Sequence, residues 1–384
     1  MDKHVSHLRR CLADGSGHWE PQPGKLAPYE LSSAPRLSRY APQACDKPGR
    51  PSTRAALRYS WVPGGPSCGG PRQRRTPDTD LAPPRREPLS HVLNQTLEVL
   101  AARFCERHNG SRILLVGDSI MSQWFLGLVA SLGQLTFSAP TRACNDATAR
   151  LDYEVGQSAT ACDGHVHVRY VRNGVLDVNA SAEAAARATR GACVPDPSST
   201  NQPWLVWAAK SDFVVLNRGV WVESDDARFV AQVNHTLRAM RAVGGNPRNK
   251  HAPRVVWRGT PASIPRCWQL PDPQRVPVSF NFSANPALAA ERGVALFRWH
   301  RFAPQNELAR SLVEAEGHAY LDTYQQTALR PGGHHRSRHD CVHWCLPGPP
   351  DEWTRLLLML WLHDTRGTSR DVSMGREAYS KAVK

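Results

Sequence analysis

From about residue 89 onward, short continuous apolar runs alternate with segments of helical periodicity. "RILLVGDS" (112–119) is an apolar run closed by Gly-Asp-Ser, the pattern of a strand buried on both faces and the turn that follows it. "DFVVLN" (212–217), "RVVWRG" (254–259) and, less clearly, "HAYLD" (318–322) read the same way. "LSHVLNQTLEVLAARFCERH" carries Val92, Leu93, Leu97, Leu100, Ala101 and Phe104 at helical spacing. "IMSQWFLGLVASLG" is an apolar helix ending at Gly133. "DARFVAQVNHTLRAMRAVG" is amphipathic, with Phe229, Val230, Val233, Leu237 and Met240 on one face. "DEWTRLLLMLWL" starts a last helix after "LPGPP". Strands alternating with helices predict an α/β fold of three layers with a central parallel sheet.

Upstream the pattern fades. The segment before 89 is rich in Pro, Gly, Ser and Arg and cannot easily form a core alone, so it requires disulfides or docking. The expected division is a cysteine-containing N-terminal module (11–70), a Pro/Arg-rich linker (71–88), the α/β domain (89–363) and a polar tail (364–384).

Composition changes this picture in two ways. The net charge of +14 invites an anionic partner, but the basic residues form no single stripe and rise together with Ala and Pro. No nucleic-acid-binding signature accompanies them, so nucleic acid is not expected as a partner. The ten cysteines (Cys11, Cys45, Cys68, Cys105, Cys144, Cys162, Cys193, Cys267, Cys341 and Cys345) are even in number and scattered, which suits disulfides better than a zinc ribbon. Five N-x-S/T sequons begin at Asn94, Asn109, Asn179, Asn234 and Asn281, and with the cysteines they point to the secretory pathway. Yet "MDKHVSHLRRCLADG" has no apolar core or cleavage site, and "LLLMLWL" falls far short of the ~18 apolar residues of a membrane helix. The expectation is an N-terminal anchor absent from this sequence, rather than a cytosolic protein with reduced cysteines.

Three places hold chemistry. Ser119 lies beyond the carboxyl end of a strand and at the start of a helix, where an unpaired N–H and the helix dipole favour an oxyanion; Asp-Ser there is equally an ordinary helix cap. Asn217 ends a strand just before Gly219. Its amide and the glycine N–H can donate to an oxyanion, or the asparagine can simply serve a turn. "HDCVHWCLPG" (339–348) offers two readings. As zinc ligands, Cys341, His343 and Cys345 would spread over roughly 13 Å in a strand and fan apart in a helix, so no metal is expected. As an acid–base pair, Asp340 and His343 are three residues apart, and one turn of backbone brings the carboxylate to the imidazole Nδ1.

A Gly-Asp-Ser block, then an Asn block, then Asp-x-x-His resembles the SGNH/GDSL esterase superfamily. "DCVHWCLPGPPDEWTRLL" more specifically resembles the C-terminal motif of the trichome-birefringence-like (PC-esterase) polysaccharide O-acetyltransferases. "ILLVGDSIMSQW", "DFVVLNRGVW" and "VVWRGTPASIPRCW" resemble the blocks that precede it in that family. "CLADGSGHWEP" (11–21) and "GRPSTRAALRYSWVPGGPSC" (49–68) resemble its cysteine-bearing N-terminal module. The pattern departs where the family carries Arg and His, here Ser122 and Val220, and Thr260-Pro261-Ala262-Ser263 lacks a histidine. The chain therefore looks like a divergent, algal-like member.

The resemblance implies an SGNH-like fold, a Ser119–His343–Asp340 triad, and an oxyanion site from Ser119, Asn217 and Gly219. It implies an acetyl donor and a polysaccharide acceptor, with no bound cofactor and a Golgi lumen setting. Arg258, Trp221 and Trp257 are the acceptor contacts it suggests, or else core residues. The alternatives are a carbohydrate acetyl-esterase with the same triad and a non-catalytic glycan-binding scaffold.

Overall fold

The computed structural model describes residues 3–22, 59–64, 68, 89–133, 136–137, 141–142, 154–178, 203–244, 252–270, 273–274, 285–334 and 340–364. Cys45, Cys144, Cys193, Asn179, Asn281, the 71–88 linker and the tail beyond residue 364 lie outside them.

The four predicted strands form as β3 (Arg112–Gly117), β8 (Phe213–Leu216), β9 (Arg254–Arg258) and β10 (Ala319–Leu321). With β7 (Val166–Arg172) they make a parallel sheet in the order β10-β9-β8-β3-β7. An antiparallel flank extends it through β6 (Glu154–Ala161), β4 (Thr136–Phe137) and β5 (Thr141–Arg142). The sequence reading passed over β6 and β7, although Val166, Val168 and Tyr170 alternate with His167 and Arg169 along β7. In β6 the inward positions are small or polar (Gln157, Ala159, Ala161), so the alternation carries little apolar contrast.

Alternation along β3 divides the core. Ile113 and Leu115 face one helical layer: α2 (Leu97–Arg107), α3 (Ser119–Ser131) and α6 (Pro349–His363). Leu114 and Val116 face the other, α4 (Asp226–Ala242) and α5 (Phe302–Ala315). This is the three-layer α/β arrangement, with a central and largely parallel sheet, that the sequence pattern predicts. The run from 89 to 108 is two helices rather than one, Leu89–Leu93 and α2, because Thr96 stops the first and caps the second through Val99 N–H.

The N-terminal segment is woven into this core. Helix α1 (Lys3–Asp14) begins upstream of the expected boundary at 11, and the Leu12 carbonyl accepts the Asp322 N–H beyond β10. Strands β1 (Gly17–Pro21) and β2 (Tyr59–Pro63) pair antiparallel, with Trp19 opposite Trp61 and their rings 5.5 Å apart. Cys11 is bonded to Cys68 and Cys105 to Cys162. Buried Arg355 on α6 pairs with Glu352 at 2.6 Å and donates to the carbonyls of Leu93 and Trp61, fastening the module to the last helix. Removing either member of such a buried pair strands the other charge, at about 3–5 kcal/mol.

Asp322 lies under the end of α1. Burial pushes its carboxyl up to about 7, opposed by the Tyr324 N–H and reinforced by Glu307. The folded state thus holds a proton that the unfolded chain releases near pH 4, so this group's contribution falls as pH rises from about 4 to 7, by roughly 1.4 kcal/mol per unit. His334 and His108, which burial lowers to about 3 and 4, slope the opposite way in the same window. The raw pH dependence therefore cancels in part, and a mutant difference is the informative quantity. Asp322→Asn should gain stability relative to the parent chain between pH 5 and 7.5 by a few kcal/mol, measured by urea unfolding at both pH values.

Candidate active site

The chain runs from β3 through α3 and β4–β7 on one side of the sheet, then crosses to β8, β9 and β10 on the other. The carboxyl end of β3 is thus the point where strand order reverses, where open α/β sheets form a crevice. Ser119 sits there as the first residue of α3.

Asp118 organises this crevice. Its fully buried carboxylate accepts Ile120 N–H (3.0 Å) and Met121 N–H (3.3 Å) through Oδ1, capping α3, and Val220 N–H (2.8 Å) through Oδ2. The loop after β8 can close this tightly because Gly219 has φ +76° and no side chain; a Cβ there would stand 2.2 Å from Asp118 Oδ2. Tyr170 Oη donates to the Asp118 carbonyl at 2.9 Å.

Across the crevice, His343 Nε2 lies 2.8 Å from Ser119 Oγ and its Nδ1 lies 2.8 Å from Asp340 Oδ2. A carboxylate only accepts, so Nδ1 carries the proton and Nε2 accepts from the serine hydroxyl. Asp340 Oδ1 also accepts the N–H groups of Val342 (3.1 Å) and His343 (3.0 Å). Partial burial pushes the Asp340 carboxyl up, but His343 and these two N–H groups outweigh it and hold the carboxyl below the usual range. The His343 and Asp340 side chains are 31% and 30% exposed, so solvent reaches the pair.

Three devices hold the His343 turn. Cys341 is bonded to Cys267, and Cys345 is disulfide-bonded as well, so neither is a metal ligand. His334 stacks on Trp344 with ring centroids 3.7 Å apart, and its Nδ1 donates to the His343 carbonyl. Gln123, fully buried one turn along α3 from Ser119, brackets Trp344 with both ends of its amide. Nε2 donates to the Trp344 carbonyl (3.0 Å) and Oε1 accepts its N–H (3.1 Å). Sequence reasoning passed over Gln123; the one available signal was a polar residue, i+4 from the serine, on an otherwise apolar helix.

Several expected site residues stand elsewhere. Trp257 is 2% exposed on β9 among the residues facing α4 and α5, so it does not reach a groove. Arg258 is fully buried beneath the site, between the rings of Trp124 and Trp353 at 5.7 and 5.3 Å. Burial lowers its pKa to about 10 against the pull of Asp118. Asn217 is also buried: its amide nitrogen donates to the Arg258 carbonyl (2.8 Å) and Thr260 Oγ1 (3.4 Å), and its oxygen accepts from Arg258. In this arrangement it joins the ends of β8 and β9 and is not aimed at an oxyanion. Trp221 is exposed at the rim. Ser122 is half-buried with its N–H on the Asp118 carbonyl, and Val220 is buried. Asn94 and Asn109 are exposed, whereas Asn234 is half-buried on α4.

Residues 305–360 match the family described as PC-Esterase: GDSL/SGNH-like Acyl-Esterase family found in Pmr5 and Cas1p. That stretch includes Asp340 and His343 but not Ser119. Over 64 residues the chain is 36% identical to Xyloglucan O-acetyltransferase 1 of Populus trichocarpa, covering 12% of this chain and 15% of that protein. Over 49 residues it is 47% identical to Protein trichome birefringence-like 20 of Arabidopsis thaliana, covering 10% of each. Over 53 residues it is 40% identical to Xyloglucan O-acetyltransferase 2 of Populus trichocarpa, covering 10% of this chain and 12% of that protein. The chain thus aligns with 10–15% of the length of these curated relatives, and the resemblance read from its motifs is met locally.

A serine-reactive fluorophosphonate should label Ser119, with labelling abolished in Ser119→Ala and reduced roughly 10³-fold or more in His343→Ala. Gln123→Leu should slow labelling about tenfold through misplacement of His343, while Gln123→Glu, which keeps one of the two bonds, should fall between. Intact-mass and labelling-rate measurements check both.

Proposed function

We propose that this chain is an O-acetyltransferase that moves an acetyl group to a hydroxyl of a polysaccharide through an acetyl-serine. The observation that carries the reading is the chain of two 2.8 Å contacts from Ser119 Oγ through His343 to Asp340. The names of the relatives that the chain matches locally support acetyl as the group and polysaccharide as the acceptor.

In this reading His343 Nε2 takes the Ser119 proton as Oγ attacks the donor's acetyl carbonyl, while Asp340 stabilises the imidazolium. The oxyanion rests on the Ser119 N–H at the start of α3, aided by the helix dipole, with the Gly219 N–H as second donor. The tetrahedral adduct collapses, the C–O or C–S bond to the donor's leaving group breaks, and His343 returns its proton to that group. A sugar hydroxyl then gives its proton to His343 and attacks the acetyl-serine. Collapse of the second adduct releases the acetylated sugar and restores the Ser119 hydroxyl. The disulfides and the five sequons support an oxidising compartment of the secretory pathway.

Hydrolysis is the second reading, favoured by one observation: nearly a third of the His343 and Asp340 side chains is open to solvent, so water can stand in for the sugar. A non-catalytic scaffold has no need of a hydrogen-bonded Ser-His-Asp chain.

Purified protein, an activated acetyl ester and a panel of oligosaccharides should give a mass gain of one acetyl on a sugar, absent with Ser119→Ala. Free acetate without acetylated sugar, again dependent on Ser119, would replace the transferase with an esterase. Neither product would overturn both.

A further inference from the structure

Arg258 is a fully buried cation that the triad does not touch. Its Nε and Nη1 have no hydrogen-bond partner, and among the described residues its side chain makes one bond, from Nη2 to Asn217 Oδ1. Holding an amide in place needs only a neutral donor, and filling the space between two indoles needs only an apolar chain. An ion in that position costs stability that either replacement would avoid.

Its placement decides what the charge can reach. Val116 pairs with Leu216 and Leu216 with Trp257, which puts Gly117, Asn217 and Arg258 in one row across β3, β8 and β9. Two strand spacings, roughly 10 Å, separate the ends of that row. Asp118 follows Gly117. Of the charged groups it acts most strongly on the guanidinium, and the Tyr320 hydroxyl of β10 comes next. Away from the sheet the guanidinium packs on Trp124 of α3 and Trp353 of α6. Trp353 meets Trp124 and Trp344 near edge-on, with ring centroids 5.9 and 6.1 Å apart, and Trp344 adjoins His343. All three indoles are fully buried, so a dry aromatic wall that screens charge weakly lies between Arg258 and the His343 turn. The other charges of α6 nearby, Glu352 and Arg355, are paired with each other. His343 itself faces Asp340 and His334.

We propose that Arg258 is a positioning residue that acts through Asp118: its fixed positive charge offsets the Asp118 carboxylate where Ser119 and His343 meet. The inference rests on the reading of Ser119, His343 and Asp340 as a working triad. A carboxylate immediately before the attacking serine opposes any negative charge that develops at the start of α3, on Oγ or on the oxygen of an adduct. The same carboxylate favours the imidazolium of His343 before reaction and so withholds the base. One buried cation answers both, because it stays charged across the neutral range and its bond to Asn217 Oδ1 fixes it relative to the ends of β3 and β8.

The test is the pH profile of fluorophosphonate labelling at Ser119, read as a plateau rate and as the pH of half-maximal rate on the acid limb. Arg258→Met removes the charge and keeps an unbranched chain between the indoles. It should lower the plateau about tenfold and raise the half-maximal pH by roughly half a unit, the scale of one charge acting through a partly wet site. Arg258→Lys keeps the charge and should leave the half-maximal pH near that of the parent chain. Asp118→Asn should lower it, and combining Asp118→Asn with Arg258→Met should bring it back. A side chain that only packs would lower the plateau in Arg258→Met without moving the half-maximal pH. That result, or a shift in Arg258→Lys as large as in Arg258→Met, overturns the proposal. If Arg258→Met does not fold, Asp118→Asn decides: a lower half-maximal pH supports the proposal and an unmoved one overturns it. A parent chain whose Ser119 takes no label removes the triad and this inference together, whereas normal labelling with an unmoved half-maximal pH removes the inference alone.

Discussion

A single buried carboxylate, that of Asp118, sets the geometry on which the rest depends. An ionised group with no solvent exposure must collect hydrogen bonds, and this one draws them from two elements far apart in sequence: the first turn of α3 and the loop beyond β8. Closing that loop requires the left-handed turn at Gly219, and Thr260 Oγ1 donating to the Gly219 carbonyl (3.1 Å) carries the link on to β9. The buried cation of Arg258 stands near enough for the Asp118 carboxylate to favour its charge. Ser119 is aimed because the residue before it cannot be anywhere else.

The imidazole of His343 is held by different means. His343 lies on an irregular segment with little sheet or helix of its own, so its position comes from outside: a disulfide to the segment after β9, an aromatic stack beneath, and the Gln123 amide acting as a short stretch of sheet. Gln123 and Ser119 share one helix, so the histidine is indexed to the same rigid body that carries Ser119. That is a tighter coupling than two loops meeting across a groove could give.

What was legible in the sequence was what contiguous residues encode. "RILLVGDS" announces a buried strand and its exit because both features lie within eight residues, and the three-residue spacing of Asp340 and His343 admits the contact that one turn of backbone makes. What was illegible depends on partners distant in the chain. Arg258, Trp257 and Asn217 have the right residue types for an acceptor or oxyanion site, but Arg258 is enclosed by Trp124 and Trp353, Trp257 faces α4 and α5, and Asn217 is bonded to Arg258, and no local pattern shows that. Pairing of β1 with β2, separated by the residues between Pro21 and Tyr59, and the grip of Arg355 on Trp61 and Leu93 are tertiary facts in the same sense. The helical spacing over 89–108 divides into two helices for a local reason, the cap that Thr96 supplies to the second.

Ser119 and His343 stand 224 residues apart. During synthesis from the N-terminus, β3 and α3 leave the ribosome long before Asp340 and His343 exist, and α6, which closes one face of the core, follows those two at once. A nascent or truncated chain that stops short of residue 340 therefore exposes a serine with no base beside it. The Ser119–His343–Asp340 hydrogen-bonded chain therefore forms only with the segment that completes the core, and an unfinished molecule does not hold it.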